Sequence, residues 1–78
     1  MPYIVENAGA RVEGGPHRKL AKAKREAVRY FRLLERARHD GFTRSEVGWR
    51  VMRNGTHSLW ADDGYVAIHT GIVVRETD

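Results

Sequence analysis

The stretch His17–His39, HRKLAKAKREAVRYFRLLERARH, limits what the chain can fold into more than any other. Placed on a helix at about 100° per residue, it divides into two faces. Leu20, Ala23, Ala27, Tyr30, Phe31 and Leu34 gather on one side. Arg18, Lys22, Arg25, Arg29, Arg32 and Arg36 form a row on the other, with Glu26 and Glu35 on the flanks between them. A chain of 78 residues makes one small domain, residues 1–78, whose remaining apolar residues are too few to form a core alone. The apolar stripe must therefore be buried, and the cationic row must face outward.

That row has no structural purpose of its own. Like charges at i,i+4 cost a helix roughly 0.2–0.5 kcal/mol per pair. A polyanion laid along the row would reverse that cost; the bland alternative is a solvated face. From Arg18 to Arg36 a helix covers about 27 Å. Double-stranded nucleic acid carries a charge about every 1.7 Å of axis, so several phosphates could be met at once. Residues 17–39 hold nine of the fourteen Lys/Arg and two of the ten Asp/Glu, a local charge of +7 that leaves −3 for the rest. Positive charge concentrated on one element is the footprint of nucleic-acid binding. A membrane surface fits less well, because the helix's apolar face is needed for the core.

The chain has no cysteine, which removes disulfides and thiolate zinc sites and suits a reducing cytoplasm. The opening MPYIVENAGA has no charged leader before a long apolar run, and no apolar stretch approaches a membrane span. A cytoplasmic, soluble protein is expected, with no cofactor implied.

Around the helix the sequence reads as strands. Tyr3-Ile4-Val5 is β-branched and aromatic and ends at Asn7-Ala8-Gly9; Ala10 to Glu13 either continues it or returns as a ribbon. Gly14-Gly15-Pro16 leads into the helix and Asp40-Gly41 ends it. In the second half Val47, Trp49 and Val51 alternate with Gly48, Arg50 and Met52. Asn54-Gly55 predicts a two-residue turn, which sets Trp49 opposite Trp60 and Val51 opposite Ser58. Asp62-Asp63-Gly64 predicts a three-residue loop, which sets Trp60 opposite Val66. One face then collects Val47, Trp49, Val51, Trp60, Val66 and Ile68; the other carries Arg50, Met52, His57, Leu59, Tyr65, Ala67 and His69. Gly71 marks a bulge or bend, after which Ile72-Val73-Val74 extends the sheet and offers a partner to Tyr3–Val5. The expected fold is α+β: one long basic helix on a four-stranded, mainly antiparallel sheet, ordered β-α-β-β-β.

A competing reading is a helix-turn-helix. Thr43 and Glu46 have capping-box spacing, and the recognition helix would then run through THSLWADD. The β-branched alternation and the Asn-Gly turn argue against it.

The same registers place His57 directly opposite His69, with Arg50 and Tyr65 on the same face. Two imidazoles beside a guanidinium can move protons near neutral pH and steady a phosphate's charge. Metal-independent cleavage of RNA, with the ribose 2′-hydroxyl as internal nucleophile, needs little more. His57, His69 and Arg50 are thus the candidate catalytic residues, against the plain reading of two surface histidines. Two histidines without a fixed third ligand make no metal site. His39 suits the negative end of the helix, and His17 its start.

The run Gly48-Trp49-Arg50-Val51-Met52-Arg53-Asn54-Gly55-Thr56-His57, followed by Leu59-Trp60, resembles the HicA family of small mRNA interferase toxins. Their pattern is a Gly-aromatic strand, a basic residue, and Gly-Ser/Thr-His in a hairpin; the likeness extends weakly through Val66-Ala67-Ile68-His69. It implies a double-stranded-RNA-binding-like fold, His57 in the position of the catalytic histidine, and an antitoxin that covers the basic surface. The expectation is a small nucleic-acid-binding protein, RNA preferred, with His57-dependent endoribonuclease activity. Its rivals are a non-catalytic DNA-binding regulator and an interaction module docking an acidic protein through the helix.

Overall fold

The computed structural model describes residues 2–12, 14–38, 46–62 and 64–77. Its elements are β1 (Tyr3–Asn7), β2 (Ala10–Arg11), α1 (Leu20–Arg38), β3 (Glu46–Val51), β4 (His57–Asp62) and β5 (Ala67–Glu76). The strands form one antiparallel sheet in the order β2-β1-β5-β4-β3. The α+β expectation holds, with five strands in place of four. The extra strand is the ribbon option: Ala8 and Gly9 both take positive φ, which makes a two-residue hairpin turn and pairs Asn7 with Ala10.

The helix packs on one face of the sheet through the stripe read from its sequence. Ala23 and Ala27 are fully buried against Val5, Leu59, Ile72 and Val74, with Leu20, Tyr30, Phe31 and Leu34 packed around them. The helix starts at Leu20 and not at His17. The reason is a backbone bridge: Tyr3 N–H donates to His17 O (2.7 Å), and His17 N–H donates to Tyr3 O (2.8 Å). A residue whose backbone completes a sheet edge cannot also open a helix. His39 and the Asp40-Gly41 stop lie outside the described residues. The pairing of the first strand with the last is as expected, with Val5 opposite Val74 and Tyr3 opposite Glu76.

The expected register of β3 and β4 is corrected by one residue. Trp49 lies opposite Leu59 and Gly48 opposite Trp60. Gly55 N–H donates to Met52 O (3.0 Å) and Met52 N–H to Thr56 O (2.8 Å), so the loop holds three residues, Arg53, Asn54 and Gly55. Asn54 Oδ1 accepts from Thr56 N–H at 3.0 Å, and Gly55 takes φ 84° as the last loop residue. This is the turn-plus-bulge solution, not the two-residue turn. One residue of slip turns every β4 side chain over. Leu59 and His57 therefore face the helix, while Ser58 and Trp60 lie on the open face. The recognition helix of the competing reading is likewise excluded, since His57–Asp62 is strand.

The β4–β5 register differs further. Asp62 pairs with Ala67 and Trp60 with His69, then the pairing jumps so that Ser58 meets Val73 and His57 meets Val74. Thr70 and Gly71 are the surplus residues, and this is the bulge expected at Gly71 (φ 87°). Thr70 Oγ1 holds it from both sides, donating to Leu59 O (2.9 Å) and accepting from Ile72 N–H (3.1 Å).

Candidate nucleic-acid interface

Lys22, Arg25, Arg29 and Arg36 are solvent-exposed on the outer side of α1. Lys22 to Arg36 covers about 21 Å of axis. Arg18 is exposed too, but it precedes the helix and so does not continue the row's regular rise. Arg32 differs from the rest. Its Nη1 donates to Glu35 Oε1 at 2.7 Å, its side chain is only 19% exposed, and its Nε is buried with no hydrogen-bond partner. The guanidinium also lies 5.7 Å from the Phe31 ring centre. A phosphate would have to compete with Glu35 for it. Arg29 is engaged more loosely, 3.4 Å from Glu26 with its side chain 73% exposed. The flanking acids thus hold two arginines of the row without covering it.

The positive surface also widens beyond the row. Arg29 and its partner Glu26 line a pocket of about 460 Å³ between α1 and the β1–β2 hairpin. Arg11 and His17 line it too, and Asn7 Nδ2 donates to the hydroxyl of Tyr30 (3.3 Å), both of them lining residues as well. Sequence reasoning missed Arg11 because it is remote from the helix until the hairpin turns it back.

The three candidate catalytic residues are not brought together. His57 is opposite Val74 on the helix-facing side, while His69 is opposite Trp60 on the open face. His57 is half-buried, with Nδ1 unpartnered. Burial first, and the Lys24 ammonium second, push its pKa below the ordinary 6.5. Lys24 itself sits 5.2 Å from the Trp49 ring centre, so the helix carries a cation to the same corner of the sheet.

Arg50 and His69 remain together, with Trp60 between them. The Arg50 guanidinium lies 3.9 Å from the Trp60 ring centre, within cation–π range. The His69 ring meets Trp60 edge-on at 5.4 Å. Beside this cluster a groove of about 620 Å³ is lined by Met52, Asn54, Ser58, His69 and Val73. The two-residue-turn register puts Trp60 in the core, which hides its place here. Among the described residues no group of three or more His, Asp or Glu could hold a metal ion. No helix of the described residues is long and apolar enough to cross a membrane.

Compared with known proteins, the chain matches no family model, no curated protein and no solved structure.

Proposed function

We propose that the chain binds nucleic acid, RNA in preference to DNA, by laying the outer face of α1 against the phosphate backbone. The observation that carries this reading is the exposure of Lys22, Arg25, Arg29 and Arg36 along one side of a helix whose other side is committed to the core. Glu26 beside Arg29 offsets their mutual repulsion only in part, and anions lying between them would relieve the rest. The preference for RNA rests on the resemblance of residues 48–71 to HicA toxins, which also implies an antitoxin as the partner that covers the basic surface. The test is fluorescence anisotropy with single- and double-stranded RNA and DNA across a salt series. Replacing Lys22, Arg25 and Arg36 with Gln should lower affinity uniformly across sequences. The slope of log affinity against log salt should shrink by about 0.7–0.9 for each phosphate no longer neutralised. An unchanged slope would remove the helix from the interface.

Cleavage of the bound RNA is a second reading, supported by one observation. Burial and Lys24 keep His57 neutral near physiological pH, the state a general base requires. In that reading His57 acts alone. It takes the proton of a ribose 2′-hydroxyl as that oxygen bonds to the adjacent phosphorus, closing a 2′,3′-cyclic phosphate, while the P–O5′ bond breaks and the 5′-oxygen takes a proton from water. His57→Ala should then bind RNA but lose about 10²–10⁴-fold in cleavage rate, and a 2′-deoxy substrate should bind and stay intact.

A further inference from the structure

β3 is the outermost strand of the sheet, and no described strand pairs with its far side. Its sequence, Glu46-Val47-Gly48-Trp49-Arg50-Val51, has no proline, no lysine and no bulge against β4; its only charges, Glu46 and Arg50, are of opposite sign and so protect it only against a strand that sets like charges opposite. Val51 is 66% exposed and Met52 51% exposed at its end.

The direction of its free hydrogen-bonding groups follows from the hairpin. Met52 N–H donates to Thr56 O, so Met52 belongs to a hydrogen-bonded pair, and such pairs alternate along an antiparallel ladder. Arg50, Gly48 and Glu46 therefore turn their backbone groups to β4, and Val47, Trp49 and Val51 turn theirs outward. Any added antiparallel strand must be read by these three residues.

We infer that this edge pairs with β3 of a second copy of the chain, antiparallel about a two-fold axis at Gly48. With that axis, Val47 and the partner's Trp49 exchange backbone hydrogen bonds, and Trp49 does the same with the partner's Val47. Both are residues whose groups point outward. Gly48 meets the partner's Gly48 in a non-hydrogen-bonded pair, where the strands come closest, at about 4.5 Å between Cα atoms. The space a side chain would occupy there is open. Glu46 then stands opposite the partner's Arg50, and Arg50 opposite the partner's Glu46, all on the open face. Val47 and the partner's Trp49 are neighbours on the helix face, as are Trp49 and the partner's Val47.

Neighbouring registers lose this match. An axis at Val47 sets Glu46 against the partner's Gly48, and an axis at Trp49 sets Glu46 against the partner's Met52. Charge and apolar complementarity coincide only at Gly48. The axis is normal to the sheet, so both helices lie on the same side of the joined sheet and both cationic rows face the same way. Pairing of the edges does not depend on nucleic-acid binding, since no residue of the row takes part in it.

The experiment is sedimentation of the whole chain, free of nucleic acid, from micromolar to millimolar concentration. Wild type should pass from monomer to dimer. Glu46→Arg creates two like-charge pairs and should weaken the dimer by about tenfold or more; Arg50→Glu should do the same. The double variant E46R/R50E re-forms both pairs with the signs exchanged and should recover the wild-type association. Amide exchange on wild type gives an answer that needs no variant. The Val47 and Trp49 N–H groups should become protected as concentration rises, whereas the Gly48 N–H, bonded to β4, should be protected throughout. A wild type that remains monomeric over the whole range, or a Glu46→Arg variant that associates as tightly as wild type, overturns the proposal. Either result leaves the salt-dependence test of the helix untouched.

Discussion

Truncating Leu59 and Trp60 one at a time tests which side of β4 faces the helix, and the two replacements should cost very different amounts. Leu59 is fully buried and belongs to the cluster formed with Ala23, Ala27, Ile72 and Val74. Leu59→Ala removes the transfer free energy of its side chain and leaves a void, for which the usual range is about 2–5 kcal/mol. The upper half of that range applies here. Two of the residues lining the void are alanines on a helix, with no side-chain freedom to move into it, and Thr70 pins the Leu59 carbonyl across the bulge (2.9 Å). For a domain this small, each kcal/mol is worth about 4–8 °C in Tm, so a cost of about 3.5–5 kcal/mol should lower Tm by about 15 °C or more. Trp60→Ala removes the Arg50 stack and the His69 edge interaction on the open face, about 1–2 kcal/mol together. Urea unfolding followed by far-ultraviolet circular dichroism measures both, because it does not depend on which tryptophan remains. An unchanged m-value with a shifted midpoint would place the change in stability itself. If Trp60→Ala proved the more damaging of the two, the one-residue correction to the β3–β4 register would be refuted.

Gly55→Ala should destabilise by about 0.5–1 kcal/mol. Holding an L-residue near φ 84° costs about 1–2 kcal/mol, partly offset by the smaller unfolded-state entropy of alanine. The added Cβ meets no atom within 4 Å, so an effect above about 2 kcal/mol in the same denaturation assay would mean that more than backbone strain opposes a side chain in this turn. His57 should make the fold acid-sensitive. Its folded pKa lies below the unfolded 6.5, so the unfolded chain binds the proton first, and stability falls as pH drops through 6.5 toward the folded value and then levels. Comparing melting curves of wild type and His57→Gln over that window isolates the contribution; identical pH profiles would count against a buried neutral imidazole.

The helix is legible in the sequence because its signal is redundant: six apolar and six cationic positions each repeat the 3.6-residue period. Its start is not, since nothing local in His17-Arg18-Lys19 records that His17 bridges to Tyr3, fourteen residues earlier. Strand identity in the second half is equally legible from alternation, but register is not. Asn-Gly serves a two-residue turn with both residues at positive φ, and it serves equally the last two positions of a three-residue loop. The choice depends on which of Leu59 and Trp60 the helix can accommodate. Two alanines one turn apart at the packing surface favour the close approach of a leucine. The pairing of His57 with His69 fails for a separate reason: Ala61 pairs with Ile68 instead of Tyr65, three residues further along, and β5 then carries two surplus residues before it meets His57; the exposed row on the helix depends on none of these registers.

The bulge at Thr70-Gly71 adds two residues to β5 between its pairings with Ser58 and Trp60, and two is the period of a strand. His69 and Val73 consequently stay on one side of the sheet, and Ile72 and Val74 on the other, as if nothing had been inserted. The strand takes up its excess length without a change of phase. That divides β5 into a distal half, whose partner is β4 alone, and a proximal half clamped between β4 and β1. The distal half could slide in steps of two along β4 without exchanging a single side chain between faces. Length variation at this point is thus invisible to the core, whereas a change of one residue would turn the Trp60–His69 corner inside out.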